Sequence, residues 1–162
     1  MKYGKYALAI ALMGVSSMAA ADSWLYAGGS VGQSSFKSDK TSTFGFHVGT
    51  GILPIIGVEA GYWKLGSFDV GPETYDFQSF YAGIKPSIDL GPVHLYGRLG
   101  AHRYDLSGKA GAQDDDGYDL MYGVGVEYFV IDMISVGAGY QNFEVSGGNV
   151  DSYTLNATFH FL

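Results

Sequence analysis

A chain of 162 residues is long enough for one domain and short for two. It has no cysteine, which excludes a disulfide framework and a thiolate metal site. A formal charge of −7 leaves it without the basic surface that neutralises phosphate, so nucleic acid is not an expected partner.

At the start, Lys2 and Lys5 precede a short apolar run, Ala7 to Val15, too brief to cross a bilayer as a helix. Small residues follow, and Ala19-Ala20-Ala21 before Asp22 fits an A-x-A cleavage site. Residues 1–21 are therefore expected to be a signal peptide and residues 22–162 the exported domain. Cleavage removes two lysines and no acid, taking the formal charge from −7 to −9. No later segment reads as a transmembrane helix. A membrane location would then demand a closed barrel, because lipid offers the backbone no hydrogen-bond partners.

From Trp24 onward the chain alternates with period two, which is the signature of strands. Eight runs are predicted, at 24–33, 43–53, 56–65, 77–88, 93–104, 118–129, 133–143 and 152–161. In the second, Phe44, Phe46, Val48, Thr50 and Ile52 share one face, and Gly45, His47, Gly49 and Gly51 the other. In the sixth, Leu120, Tyr122, Val124, Val126 and Tyr128 oppose Met121, Gly123, Gly125 and Glu127. Short connections, Leu53-Pro54-Ile55, Asp89 to Pro92 and Val130-Ile131-Asp132, alternate with longer polar ones. The longer ones are Gln33 to Ser42, Gly66 to Asp76, Asp105 to Gly117 and Glu144 to Asp151. Short turns on one side and long loops on the other mark outer-membrane barrels of Gram-negative bacteria. The fold class implied is all-β: an eight-stranded antiparallel up-and-down transmembrane barrel, with both termini on the short-turn, periplasmic side.

Polarity decides which face is inside. A water-facing strand favours Thr, Lys or Glu, whereas the smaller face here is rich in glycine, which weakens a strand. Small residues suit the narrow bore of an eight-stranded tube. The bulky face then meets lipid. Phe44, Tyr62, Phe80, Tyr122, Tyr140 and Tyr153 lie towards the loop end, and Tyr128, Phe159 and Phe161 towards the turn end, as two aromatic girdles.

The runs Leu25-Tyr26-Ala27-Gly28, Val58-Glu59-Ala60-Gly61-Tyr62, Leu95-Tyr96-Gly97-Arg98-Leu99-Gly100 and Gly125-Val126-Glu127-Tyr128 resemble the OmpA-like transmembrane domain and its small OmpX and Ail-type relatives. The likeness covers Trp24 to Phe161. It implies a lumen charge network of Glu59, Lys85, Arg98 and Glu127, which alternation independently places on the inward face. Gly137 stands where the resemblance leads one to expect a second gating arginine, and Leu162 follows the final aromatic. No segment resembling a peptidoglycan-binding domain follows the barrel.

Buried charges must pair, so the four are expected to form a polar plug, with Glu59 and Lys85 as one testable couple. His47, His94, His102 and His160 share the inward phase without ligand-like spacing, and are read as polar filling rather than a metal site. A lipid A deacylase would be expected to show His-x-Ser; none of the four histidines has serine two residues on. Asp114, Asp115 and Asp116 could bind a divalent cation or simply sit solvated at a loop tip, and without EF-hand spacing the second is favoured. Gly108, Gly111, Gly117, Gly147 and Gly148 suggest mobile loops.

The expectation is a non-enzymatic, cofactor-free outer-membrane protein that displays four surface loops. Its partners would be outer-membrane lipid and lipopolysaccharide, the barrel-assembly machinery, and a host or other extracellular ligand reached by the loops. A narrow gated pore and a lipid A-modifying enzyme are the alternatives.

Overall fold

The computed structural model describes residues 25–70, 73–108 and 115–161; the expected signal peptide lies outside them. Eight strands follow one another: β1 (Leu25–Phe36), β2 (Asp39–Leu53), β3 (Ile56–Val70), β4 (Glu73–Leu90), β5 (Val93–Gly108), β6 (Asp115–Ile131), β7 (Ile134–Val145) and β8 (Gly148–Phe161). Each pairs antiparallel with its neighbours in sequence, and β8 pairs with β1, so the sheet closes into a barrel.

Sidedness follows the alternation. Val124 is 61% exposed on the outer wall, with Phe46, Phe80, Tyr153 and Leu155 also exposed there. The inward residues of the same strands are buried. In water such a wall would be an extreme apolar patch; in lipid it is the contact surface.

The strands run further than alternation in the sequence suggested. Three of the four segments expected as long loops are mostly strand. Between β1 and β2 only Lys37 and Ser38 turn, and between β7 and β8 only Ser146 and Gly147. Gly147 holds φ +95°, a left-handed conformation suited to glycine. Between Asp105 and Gly117, β5 runs on to Gly108 and β6 begins at Asp115. Gly117 is not a mobile hinge either: it lies in β6, beneath the Tyr104 ring.

There is a physical reason for the difference. Beyond the apolar band the outward residues become polar, as at Gln33, Ser42, Lys64 and Asp151, so the greasy stripe that marks a membrane strand ends. The inward phase continues: Phe36, Phe68, Phe77, Phe143, Val145 and Val150 still point into the barrel. In β3 a bulge between Lys64 and Gly66 also breaks the alternation. Trp63, Leu65 and then Phe68 are all buried, a spacing that no period-two pattern allows. The strands therefore rise past the membrane as two paired groups, β7-β8-β1-β2 and β3-β4-β5-β6, because β2 and β3 pair only as far as Phe44–Lys64 and β6 and β7 only as far as Met121–Phe143.

Candidate functional site

The candidate site is the barrel interior, which holds two different fillings. Towards the loop end is an apolar core of Trp63, Leu65, Phe68, Phe77, Tyr104, Met121, Phe143, Val145 and Val150, with Phe36 and Leu106 packed against it. Trp63 meets Phe143 edge to face at 5.9 Å, and Phe77 stacks on Tyr104 at 6.2 Å. Towards the turn end the filling is polar and charged.

The aromatic side chains explain the glycines. Tyr26 pairs directly across the sheet with Gly49, Trp63 with Gly45, Tyr81 with Gly61, Tyr96 with Gly125 and Tyr104 with Gly117. A Cβ added at Gly125 would lie 2.3 Å from Tyr96 Cζ, and one at Gly45 would lie 2.6 Å from the Trp63 ring. Each glycine is the floor on which an inward ring lies across to the next strand. The bore is thus lined by rings laid over glycine, not by glycine alone.

All four predicted charges are buried in the polar half. Arg98 Nε lies 2.6 Å from Glu59 Oε1, with the two side chains 2% and 1% exposed. That contact is close but not aligned as a hydrogen bond; Arg98 Nη2 donates one to Glu59 Oε2 at 3.3 Å. Tyr26 donates to the same carboxylate at 3.2 Å, and Tyr81 donates to its other oxygen. Glu59 is therefore paired with Arg98, whereas Lys85 was its expected partner. Lys85 Nζ instead sits between the Tyr26 and Tyr96 rings, 4.5 and 4.7 Å from their centroids, with no hydrogen-bond partner. Glu127 accepts hydrogen bonds from Asn156 Nδ2 at 2.7 Å and Ser135 Oγ at 3.1 Å. Gly137 is opposite Glu127 across the sheet.

The histidines are spread through this filling rather than gathered. His47 meets Thr158, His94 meets Asp89, His102 meets Ser79, and His160 meets Ser135. Among the described residues, no three His, Asp or Glu side chains converge in a way that could hold a metal ion. Of the acidic run, Asp114 lies outside the described residues; Asp115 and Asp116 are exposed at the start of β6, and Asp116 lies 3.6 Å from Arg103.

Ser135, His160 and Glu127 deserve comparison with a hydrolytic triad. In a triad the imidazole bridges serine and acid, taking the hydroxyl proton. Here serine is the bridge. Its one proton goes to Glu127, so it accepts from His160 Nε2 at 3.0 Å. An imidazole donating to serine is not a base poised to activate it, and all three side chains are buried.

The inward tyrosines and the apolar core are not singled out by the sequence pattern. Their signal was the opposite phase: Tyr26, Tyr81 and Tyr96 each stand one residue out of step with the lipid-facing stripe.

The family model of the outer membrane protein beta-barrel domain matches residues 7–161. No curated protein matches the chain. Among solved structures, Ail of Yersinia pestis, in complex with the heparin analogue sucrose octasulfate, is 18% identical with a TM-score of 0.61, over 85% of this chain and 96% of that one. Neisserial surface protein A is 19% identical with a TM-score of 0.63, over 85% and 96%. The outer membrane protein OprG of Pseudomonas aeruginosa is 10% identical with a TM-score of 0.62, over 90% and 100%. At these identities the likeness is one of fold.

Proposed function

The chain belongs to the outer membrane protein beta-barrel domain family, and from that premise we propose a non-enzymatic outer-membrane barrel with a packed bore, whose work is done by its extracellular wall. One observation carries the reading. The polar filling around Glu59 and Arg98 is capped, towards the loop end, by the apolar core around Trp63 and Phe143. An ion crossing the barrel would have to shed its water among aromatic side chains, at a cost of several kcal/mol. Planar-bilayer recording tests this. Folded protein should leave the bilayer silent, and discrete conductance steps would overturn the proposal.

The wall is built for contact above the membrane. Lys37 stands in the turn joining β1 to β2, Lys40 on β2 and Lys64 on β3, while Asp69, Glu73, Asp105, Asp115 and Asp116 stand on β3 to β6. The rim carries both signs interleaved, with Asp39 between Lys37 and Lys40 and Arg103 beside Asp116, which suits a partner of mixed charge better than a uniform polyanion. The sulfated sugar held by Ail therefore does not transfer directly. Lys64 and Arg103 are exposed beside the upper aromatics, opposite Phe44 and Phe80, at the level where lipopolysaccharide phosphates would meet them. At the other end, Phe159 and Phe161 present an aromatic pair on the outer wall, suited to the barrel-assembly machinery.

A narrow gated pore is the second reading, favoured by the Lys85 ammonium, which has no hydrogen-bond partner and could swing. The same recording separates the two. A lipid A-modifying enzyme is the third, disfavoured because Ser135 gives its one proton to Glu127 rather than to an imidazole. Unchanged lipid A mass with and without expression is the expected result.

A further inference from the structure

The turn end of the barrel is unexpectedly greasy. Three two-residue turns close it: Pro54-Ile55 between β2 and β3, Gly91-Pro92 between β4 and β5, and Asp132-Met133 between β6 and β7. Ile55 is 60% exposed, Leu53 and Ile131 each 55%, and Leu90 and Val130 are also exposed. Among the described residues at this end, Asp132 is the one fully exposed charge; Asp89 is partly exposed and is held against His94. The turns at the opposite end carry Lys37-Ser38 and Ser146-Gly147. A turn that met periplasmic water would normally be polar.

Strand length points the same way. A membrane-crossing strand needs about 9–11 residues. On β3 the outward apolar run goes only from Ile56 to Tyr62 before Lys64, and on β7 only from Ile134 to Tyr140 before Asn142, seven residues in each case. Counting the apolar turn residues before each strand extends the runs to Pro54 and Met133, nine and eight residues. Without their turns, these two strands fall short of the apolar thickness.

One carbonyl in each turn is paired away from water. Ile55 O accepts a hydrogen bond from Ser87 N at 2.9 Å, Pro92 O from Phe129 N at 2.8 Å, and Met133 O from His160 N at 2.8 Å. Each of these carbonyls is held by the next hairpin rather than left to solvent. Pro54 and Pro92 have no N–H to satisfy. Satisfied carbonyls beneath exposed apolar side chains are what hydrocarbon demands.

We infer that these three turns are a phospholipid-contact surface: the barrel ends inside the periplasmic leaflet, with Leu53, Ile55, Leu90, Val130 and Ile131 among its acyl chains. The occupant follows from continuity. The turns extend the lipid-facing wall without an intervening polar row on β2 and β6, where Ile52 and Val130 lead directly into them. Asp132 is the point at which the surface reaches the headgroups.

The chain has no cysteine, so single-cysteine variants can be labelled cleanly. Ile55→Cys and Ile131→Cys carry an environment-sensitive fluorophore, with Val126→Cys as a mid-wall reference and Ser38→Cys as the opposite turn. The proteins are folded into phosphatidylethanolamine–phosphatidylglycerol vesicles at high lipid-to-protein ratio, and heat-dependent gel mobility verifies closure. Leu53→Cys and Val130→Cys replace any variant that fails this check. Labels at 55 and 131 should emit like the one at 126. Doxyl-labelled acyl chains should quench them several-fold more than the one at 38, and aqueous iodide should barely reach them. Iodide quenching equal to that at 38 would overturn the inference and leave the surface to a periplasmic protein. Shielding that vanishes as lipid is added would overturn it in favour of contact between copies of the chain.

Discussion

Glu59 and Arg98 form the charged centre of the barrel, with Arg98 Nε 2.6 Å from Glu59 Oε1 and both side chains almost wholly removed from solvent. The carboxylate also collects the hydroxyls of Tyr26 and Tyr81, from β1 and β4, so one anion ties together four strands. Removing it leaves a guanidinium without its counter-charge. Glu59→Gln should therefore destabilise the folded barrel by about 3–5 kcal/mol, read as a lower urea midpoint for unfolding from vesicles. A double-mutant cycle should give a larger coupling for Glu59 with Arg98 than for Glu59 with Lys85, whose ammonium is held between rings instead. Equal couplings would contradict the assigned pairing.

The glycine floors make a second prediction. Gly125→Ala drives a methyl into Tyr96 and should cost about 1–3 kcal/mol, as overpacking does. Gly97→Ala, where a Cβ would lie 3.4 Å from Pro86 Cγ, should cost much less. Trimming the ring with Tyr96→Leu should recover part of the Gly125→Ala loss. Equal costs at the two glycines would remove the claim that rings lie on particular glycines.

The apolar core above the charges is a third test. Phe143→Ala opens a cavity against Trp63 and His102 and should cost about 3–5 kcal/mol in equilibrium unfolding. Were the extracellular half made of loose loops, the same change would be nearly silent.

The outer cations give a fourth. Lys64→Gln and Arg103→Gln should each weaken the stabilisation that lipopolysaccharide confers over neutral phospholipid by about 1 kcal/mol, seen as a smaller rise in melting temperature. Lys37→Gln, at the tip of the turn joining β1 to β2, should leave that rise nearly unchanged.

Much of this fold was legible in the sequence because a membrane barrel writes its two faces in alternate letters. Phe44 to Ile52 and Leu120 to Tyr128 could hardly be read another way. The lumen charges were legible for the same reason, since Glu59, Lys85, Arg98 and Glu127 all stand opposite to the greasy stripe. Their partners were not. Whether Glu59 meets Lys85 or Arg98 depends on register and side-chain reach around a closed tube, and period two carries neither. The loop-end half reads as loop in the sequence because its outer face is polar and its alternation breaks at the Lys64–Gly66 bulge. Its inner face, with Phe36, Phe77 and Phe143, keeps the alternation but lacks a contrasting stripe outside.

Amide hydrogen exchange, measured by NMR on the protein folded in lipid nanodiscs, tests most directly whether the barrel is packed throughout, including the part above the membrane. Amides of Ser34–Phe36, Thr41–Thr43, Gly66–Phe68, Phe77, Phe143–Val145 and Val150–Ser152 should be protected by orders of magnitude over an unfolded chain, as ladder residues around a dry core must be. Exchange in these segments at the rate of an unstructured peptide would contradict the account.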